Sequence, residues 1–165
     1  MKAVVSYSDS FGEKHVDLVG DSAIVRCKDP FFVPDRREWK VMPLGGVVID
    51  RLGKGIDRKF AGRYYTKCIT AAHPFASDDK DRGMTRWGRD GALVISLQDD
   101  SSMMSDELKS RIDAEIESIS RIATLKTGDL ILVGTEESSF PIQNASSNYD
   151  VEYQSGLPPL RLKVR

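Results

Sequence analysis

The sequence has little cysteine. Only Cys27 and Cys68 occur in 165 residues. That is too few for a disulfide framework, and neither forms the Cys-x-x-Cys half of a zinc site. An excess of charge is also missing: 24 Lys and Arg stand against 25 Asp and Glu, a formal net charge of −1. The balance excludes a wholesale polyanion binder. With 40% hydrophobic residues it also excludes disorder, which combines low hydrophobicity with high net charge. No apolar run approaches the ~18 residues of a membrane span, and Met1 to Asp9 lacks the apolar stretch of a signal peptide. A Walker loop, a dinucleotide fingerprint and a nucleophile elbow are all absent. The expectation is a soluble, reduced, cytoplasmic protein with neither a membrane nor a nucleic acid as partner. Its length suits one domain, residues 1–165, since domains cluster near ~100–150 residues.

What is present reads as strands with few helices. Ala3-Val4-Val5, Ser22-Ala23-Ile24-Val25, Gly45 to Ile49, Ala92 to Leu97 and Leu130 to Val133 are apolar runs of strand length. Pro30 and Pro34 bracket Phe31-Phe32-Val33, which predicts a short edge strand. Val151 to Tyr153 and Leu160 to Val164 alternate apolar and polar residues, as half-exposed strands do. Phe60, Arg63 and Tyr64 share one helical face, so a short helix is expected within Ile56 to Lys67. The clearest helix carries Leu108, Ile112, Ile116, Ile119 and Ile122 on one stripe. Ser105 is its N-cap, and Asp106 and Glu107 stand on its positive end. His73 to Gly91 turns polar and reads as a long surface loop. The sum is about seven strands and two helices in an α+β arrangement on a mixed or antiparallel sheet.

Few residues point to chemistry. His73 stands close to Asp78, Asp79 and Asp81, and an imidazole beside a carboxylate can be a general base or a metal ligand. A solvated loop is the simpler explanation, since one histidine cannot form a dyad with itself and Asp79 is flanked by Lys80. Cys68 lies five residues before His73, but in an apolar stretch where a buried, inert thiol is expected. Arg51, Lys54, Arg58, Lys59, Arg63 and Lys67 surround Tyr64 and Tyr65. Such a mixture can grip single-stranded nucleic acid, although a solvated surface accounts for it in a chain of balanced charge.

Three segments in order carry a resemblance. They are Asp21 to Val25 with Pro30 to Asp35, then Arg51-Leu52-Gly53-Lys54-Gly55-Ile56 with Phe60 to Tyr65, and then Leu125 to Thr135. The last reads as a Leu-x-x-Gly-Asp-x-Ile-x-x-Gly-Thr run. Together they resemble the fumarylacetoacetate hydrolase family, in particular its short bacterial members. The resemblance implies a mixed β-sheet roll with about two flanking helices and a homodimer. It also implies cleavage, isomerisation or decarboxylation of β-dicarbonyl or keto acids around a carboxylate-held Mg²⁺ or Ca²⁺.

The positions that carry that chemistry differ here. The family's Glu-x-Glu ligands fall on Met42 and Leu44, and its Asp ligand on His73. The Arg and Gln that follow fall on Ser77 and Lys80, and the active-site Lys falls on Trp87. Asp78 and Thr135 persist, and Asp35 and Glu38 are nearby carboxylates. The expectation is therefore a degenerate member without metal or cofactor. It would keep a binding or assembly role, with room for a small ligand in the vestigial pocket. The alternative is an enzyme of the family's substrate class that uses His73, Asp78 and Thr135.

Overall fold

The computed structural model describes residues 1–77, 84–97, 104–153 and 157–165. The elements are β1 (Lys2–Ser8), β2 (Lys14–Gly20), β3 (Ile24–Arg26), β4 (Trp39–Ile49), β5 (Tyr65–Ala76), α1 (Met84–Trp87), β6 (Leu93–Leu97), α2 (Asp106–Ile122), β7 (Leu130–Thr135), β8 (Phe140–Pro141), β9 (Asn148–Val151) and β10 (Leu160–Lys163). The main sheet runs β2-β1-β7-β4-β5-β6-β3, with β8 on the far end of β4. It is mixed: β1–β7 and β3–β6 are parallel, and the remaining pairs are antiparallel. Strands β9 and β10 form a separate hairpin. Among the described residues no helix is long and apolar enough to cross a membrane.

Alternation along the strands divides the molecule into layers, because successive side chains point to opposite faces. Ala3, Val5, Tyr7, Met42, Leu44, Ile69, Ala71, Leu93, Ile95, Leu130 and Leu132 form one inner cluster. The other face of β1, β4 and β7 presents Val4, Val47, Ile49, Ile131 and Val133 to Leu108, Ile112, Ile116 and Ile119 of α2. The β9–β10 hairpin covers the rest through Val151, Leu160 and Leu162, against Val41, Ala72 and Val94. Glycine permits the tightest approach, since a Cβ on Gly46 would lie 1.9 Å from the Ile131 carbonyl oxygen on β7.

Several expected elements differ. Asp21–Ala23 is a 3-10 turn, and the strand begins at Ile24. The helix expected within Ile56 to Lys67 is a 3-10 segment, Arg58–Arg63, and Tyr65 already opens β5. Between Pro30 and Pro34 the pairing is one bridge, Phe31 to Val164, with Val33 N also donating to the Arg165 carbonyl at 2.9 Å. The polar stretch after His73 is not a surface loop at its start: His73 to Ala76 complete β5, and His73 is wholly buried. Pro74 fits there because the β5–β6 pairing ends at Ala72, so no neighbour on that side needs its N–H.

Candidate functional site

β4 and β5 bring the candidate residues together by register. Met42 pairs with His73, and Leu44 pairs with Ala71 on one side and Gly134 of β7 on the other. Met42, Leu44 and His73 have no exposed surface. Met42, Leu44 and Trp87 belong to the inner cluster, together with Tyr7 and Phe75. The His73 ring stacks on Trp87, with centroids 3.8 Å apart, and on Phe75 at 5.5 Å.

Both nitrogens of His73 are engaged. Nε2 accepts from Arg86 Nε at 3.0 Å, and Nδ1 lies 2.6 Å from the Ala92 carbonyl oxygen. An arginine only donates and a carbonyl only accepts, so this is the neutral ring with its proton on Nδ1. Burial is the main cause holding the imidazole well below its ordinary range; the Arg86 charge adds to it and the Ala92 bond opposes it.

Arg86 is the central feature of the site. It is only 2% exposed. A buried charge costs several kcal/mol unless it is paired. The Glu136 carboxylate lies 2.8 Å from Nη1. The guanidinium also sits over three rings, Phe75 at 4.4 Å, Tyr7 at 5.1 Å and Trp87 at 5.7 Å, and each face attracts a cation. Asp17 on β2 closes the cluster by accepting from both Tyr7 Oη and Trp87 Nε1 at 2.9 Å.

The remaining candidates lie elsewhere. Thr135 ends β7 and caps the 3-10 turn after it, its hydroxyl accepting from Glu137 N at 3.3 Å. Ser77 is an exposed turn residue whose N–H donates to the Glu38 carbonyl at 2.8 Å. Asp35 accepts from Arg37 and from Trp39 Nε1, so it is no displaced ligand for position 42. Asp78 and Lys80 lie outside the described residues. Cys68 is buried among the residues facing α2, on the opposite face of β5 from His73, so the two do not pair. The basic run is dispersed: Arg58 bonds Ser110, Lys59 pairs with Asp57, and Arg63 covers Phe60.

Position 73 and its neighbours do not fit a hard divalent cation. Such an ion needs several oxygen ligands. Met42 offers a soft thioether, Leu44 offers nothing, and both imidazole nitrogens are taken. Sequence reasoning missed Arg86, Glu136, Tyr7 and Asp17, which pack around these positions. It also missed Asp9, Glu13 and His15, whose ligand atoms lie within 4.8 Å of one another. Asp9 holds the β1–β2 turn there, accepting from the N–H groups of Phe11 and Glu13 and lying 2.9 Å from His15 Nε2.

A mixed sheet curled over an apolar interior, with α2 on its back, is an α+β roll. The roll is the fold of the fumarylacetoacetate hydrolase family. No family model and no curated protein sequence matches the chain, but solved structures do. A 2-hydroxyhepta-2,4-diene-1,7-dioate isomerase from Mycobacterium marinum aligns at TM-score 0.81 and 20% identity, over 99% of this chain and 73% of the other. A fumarylacetoacetate hydrolase family protein from Yersinia pestis CO92 aligns at 0.79 and 16%, over 99% and 92%. A maleylpyruvate hydrolase from Sphingobium sp. SYK-6, solved with manganese(II) and pyruvate, aligns at 0.78 and 15%, over 99% and 69%. At these identities the likeness is one of fold.

Proposed function

We propose that this chain keeps the roll without the metal-dependent reaction and serves as a binding or assembly partner. The observation that carries the reading is the engagement of position 73. His73 is buried, neutral and bonded at both nitrogens to Ala92 and Arg86. Around it, apolar side chains stand where the resemblance calls for carboxylate ligands. The positive charge beside position 73 belongs to a guanidinium, already matched by Glu136. A small ligand reaches this position only if Arg86 and Trp87 move aside.

The assembly we propose is a homodimer. Its support is the edge strand β2, whose Val16 and Leu18 are 51% and 64% exposed. A twofold pair is the commonest closed arrangement for such an edge.

The test is titration with Mg²⁺, Mn²⁺ and Ca²⁺, followed by calorimetry and thermal melting. A ligand of the native state raises stability by RT ln(1 + [L]/Kd). No heat and an unmoved melting temperature are expected. A melting rise of several degrees that disappears in His73→Asn would overturn the reading.

A further inference from the structure

The interior of the roll has a second end. On β5, Lys67 shares the inward face with Ile69, Ala71, His73 and Phe75, because the residues are two apart. Six residues at ~3.3 Å each put Lys67 ~20 Å along the strand from His73. There the lumen does not close. A cavity of about 280 Å³ remains, lined by Ile24, Val48, Ile95 and Leu130. Its other described lining includes Arg26 and Lys67, and no carboxylate. Arg26 falls on the face of β3 that carries Ile24, beside Ile95 of β6. Apart from His73, the inward positions of β5 beyond Lys67 are apolar, so two long cations over an apolar floor depart from the pattern.

We propose that this end of the roll binds a small amphipathic carboxylate, its apolar body among Ile24, Val48, Ile95 and Leu130 and its head at Arg26, with Lys67 beside it. The volume equals that of roughly nine waters, which suits a compact body such as an aryl acid or a medium-chain fatty acid. The site is independent of position 73 and does not rest on the loss of the metal reaction. The fork of Arg26 supplies paired N–H donors to a carboxylate, a charge-assisted and directional contact.

The test is calorimetric titration of the full chain with octanoate and phenylacetate, with octanol and octylamine as matched probes lacking the anionic head. Saturable heat with one or both acids, and none with the alcohol or amine, is expected. A response to one acid alone identifies the shape of the body. Arg26→Gln, at an exposed position, should weaken binding by about tenfold or more, with an unchanged far-UV spectrum. Ile24→Trp should fill the cavity and abolish binding. Absence of heat with both acids would overturn the proposal. So would octanol binding as well as octanoate, or binding that Arg26→Gln leaves intact but Arg86→Met removes.

Discussion

At the scale of the residue, His73 is held by one proton. Its Nδ1–H satisfies the Ala92 carbonyl while Nε2 takes the Arg86 donor. A second proton on Nε2 would face a guanidinium in a site with no exposed surface. The linkage sign follows. In the unfolded chain the imidazole titrates near 6.5, and in the native protein well below that. The unfolded state therefore binds the extra proton first, and stability is lost as pH falls below about 6.5, at up to ~1.4 kcal/mol per pH unit. His73→Asn keeps a donor near the Nδ1 position and removes the titration. It should be less stable at neutral pH, because ring stacking on Trp87 and Phe75 is lost. Its stability difference from wild type should shrink between about pH 7 and about pH 5. Urea unfolding at the two pH values measures this, and a difference independent of pH would mean that His73 titrates normally.

At the scale of the element, α2 shows what the sequence makes legible. A stripe at spacings of three and four has one reading, and the helix runs Asp106–Ile122 with Ser105 accepting from Leu108 N, as the sequence suggests. Its limit is also visible: Ile116 is wholly buried, but Ile122, the last residue of the helix, is 85% exposed. Ile116→Asp loses ~1.5–3 kcal/mol of burial and adds an unpaired buried carboxylate costing several more, against a total stability of ~5–15 kcal/mol. It should abolish the cooperative thermal transition, whereas Ile122→Asp should melt like wild type. A cooperative melt for Ile116→Asp would show the α2–sheet contact to be dispensable. β2 was illegible for the opposite reason. Its inward residues include Asp17, which bonds Tyr7 and Trp87, and His15, whose ring lies against Tyr7, so its apolar alternation, Val16 and Leu18, falls on the outer face instead of the core. The end of β5 was hidden likewise, because Pro74 and the charges after it imitate a loop. The candidate site was legible only as substitutions. That Met42, Leu44, His73 and Trp87 would gather could be expected, but Arg86 and Glu136 meet across 50 residues of chain through a fold that no local pattern encodes.

At the scale of the whole molecule, the sheet has an edge to account for. Among the described residues β2 pairs only with β1, and Val16 and Leu18 stand exposed on its α2 side, opposite Ser6 and Val4. Lys14 of the same strand reaches α2 by pairing with the nearly buried Glu115, so the strand is held in place. Phe11, at the tip of the hairpin, is 92% exposed. Soluble proteins blunt such edges with charge or cover them; here Lys14 is charged, but Val16 and Leu18 beside it on that side are apolar. A second copy across a twofold axis would present the same residues to each other. A stable interface needs ~800 Å² from each partner, more than one strand supplies, so Phe11 and the exposed side of α2 would have to contribute. Light scattering at micromolar concentration should therefore give twice the chain mass. Leu18→Lys should give the chain mass with an unchanged far-UV spectrum, because the side chain already faces out and only the partner would meet the charge. A wild-type chain that stays monomeric throughout the micromolar range would remove the dimer and leave β2 as a bare edge.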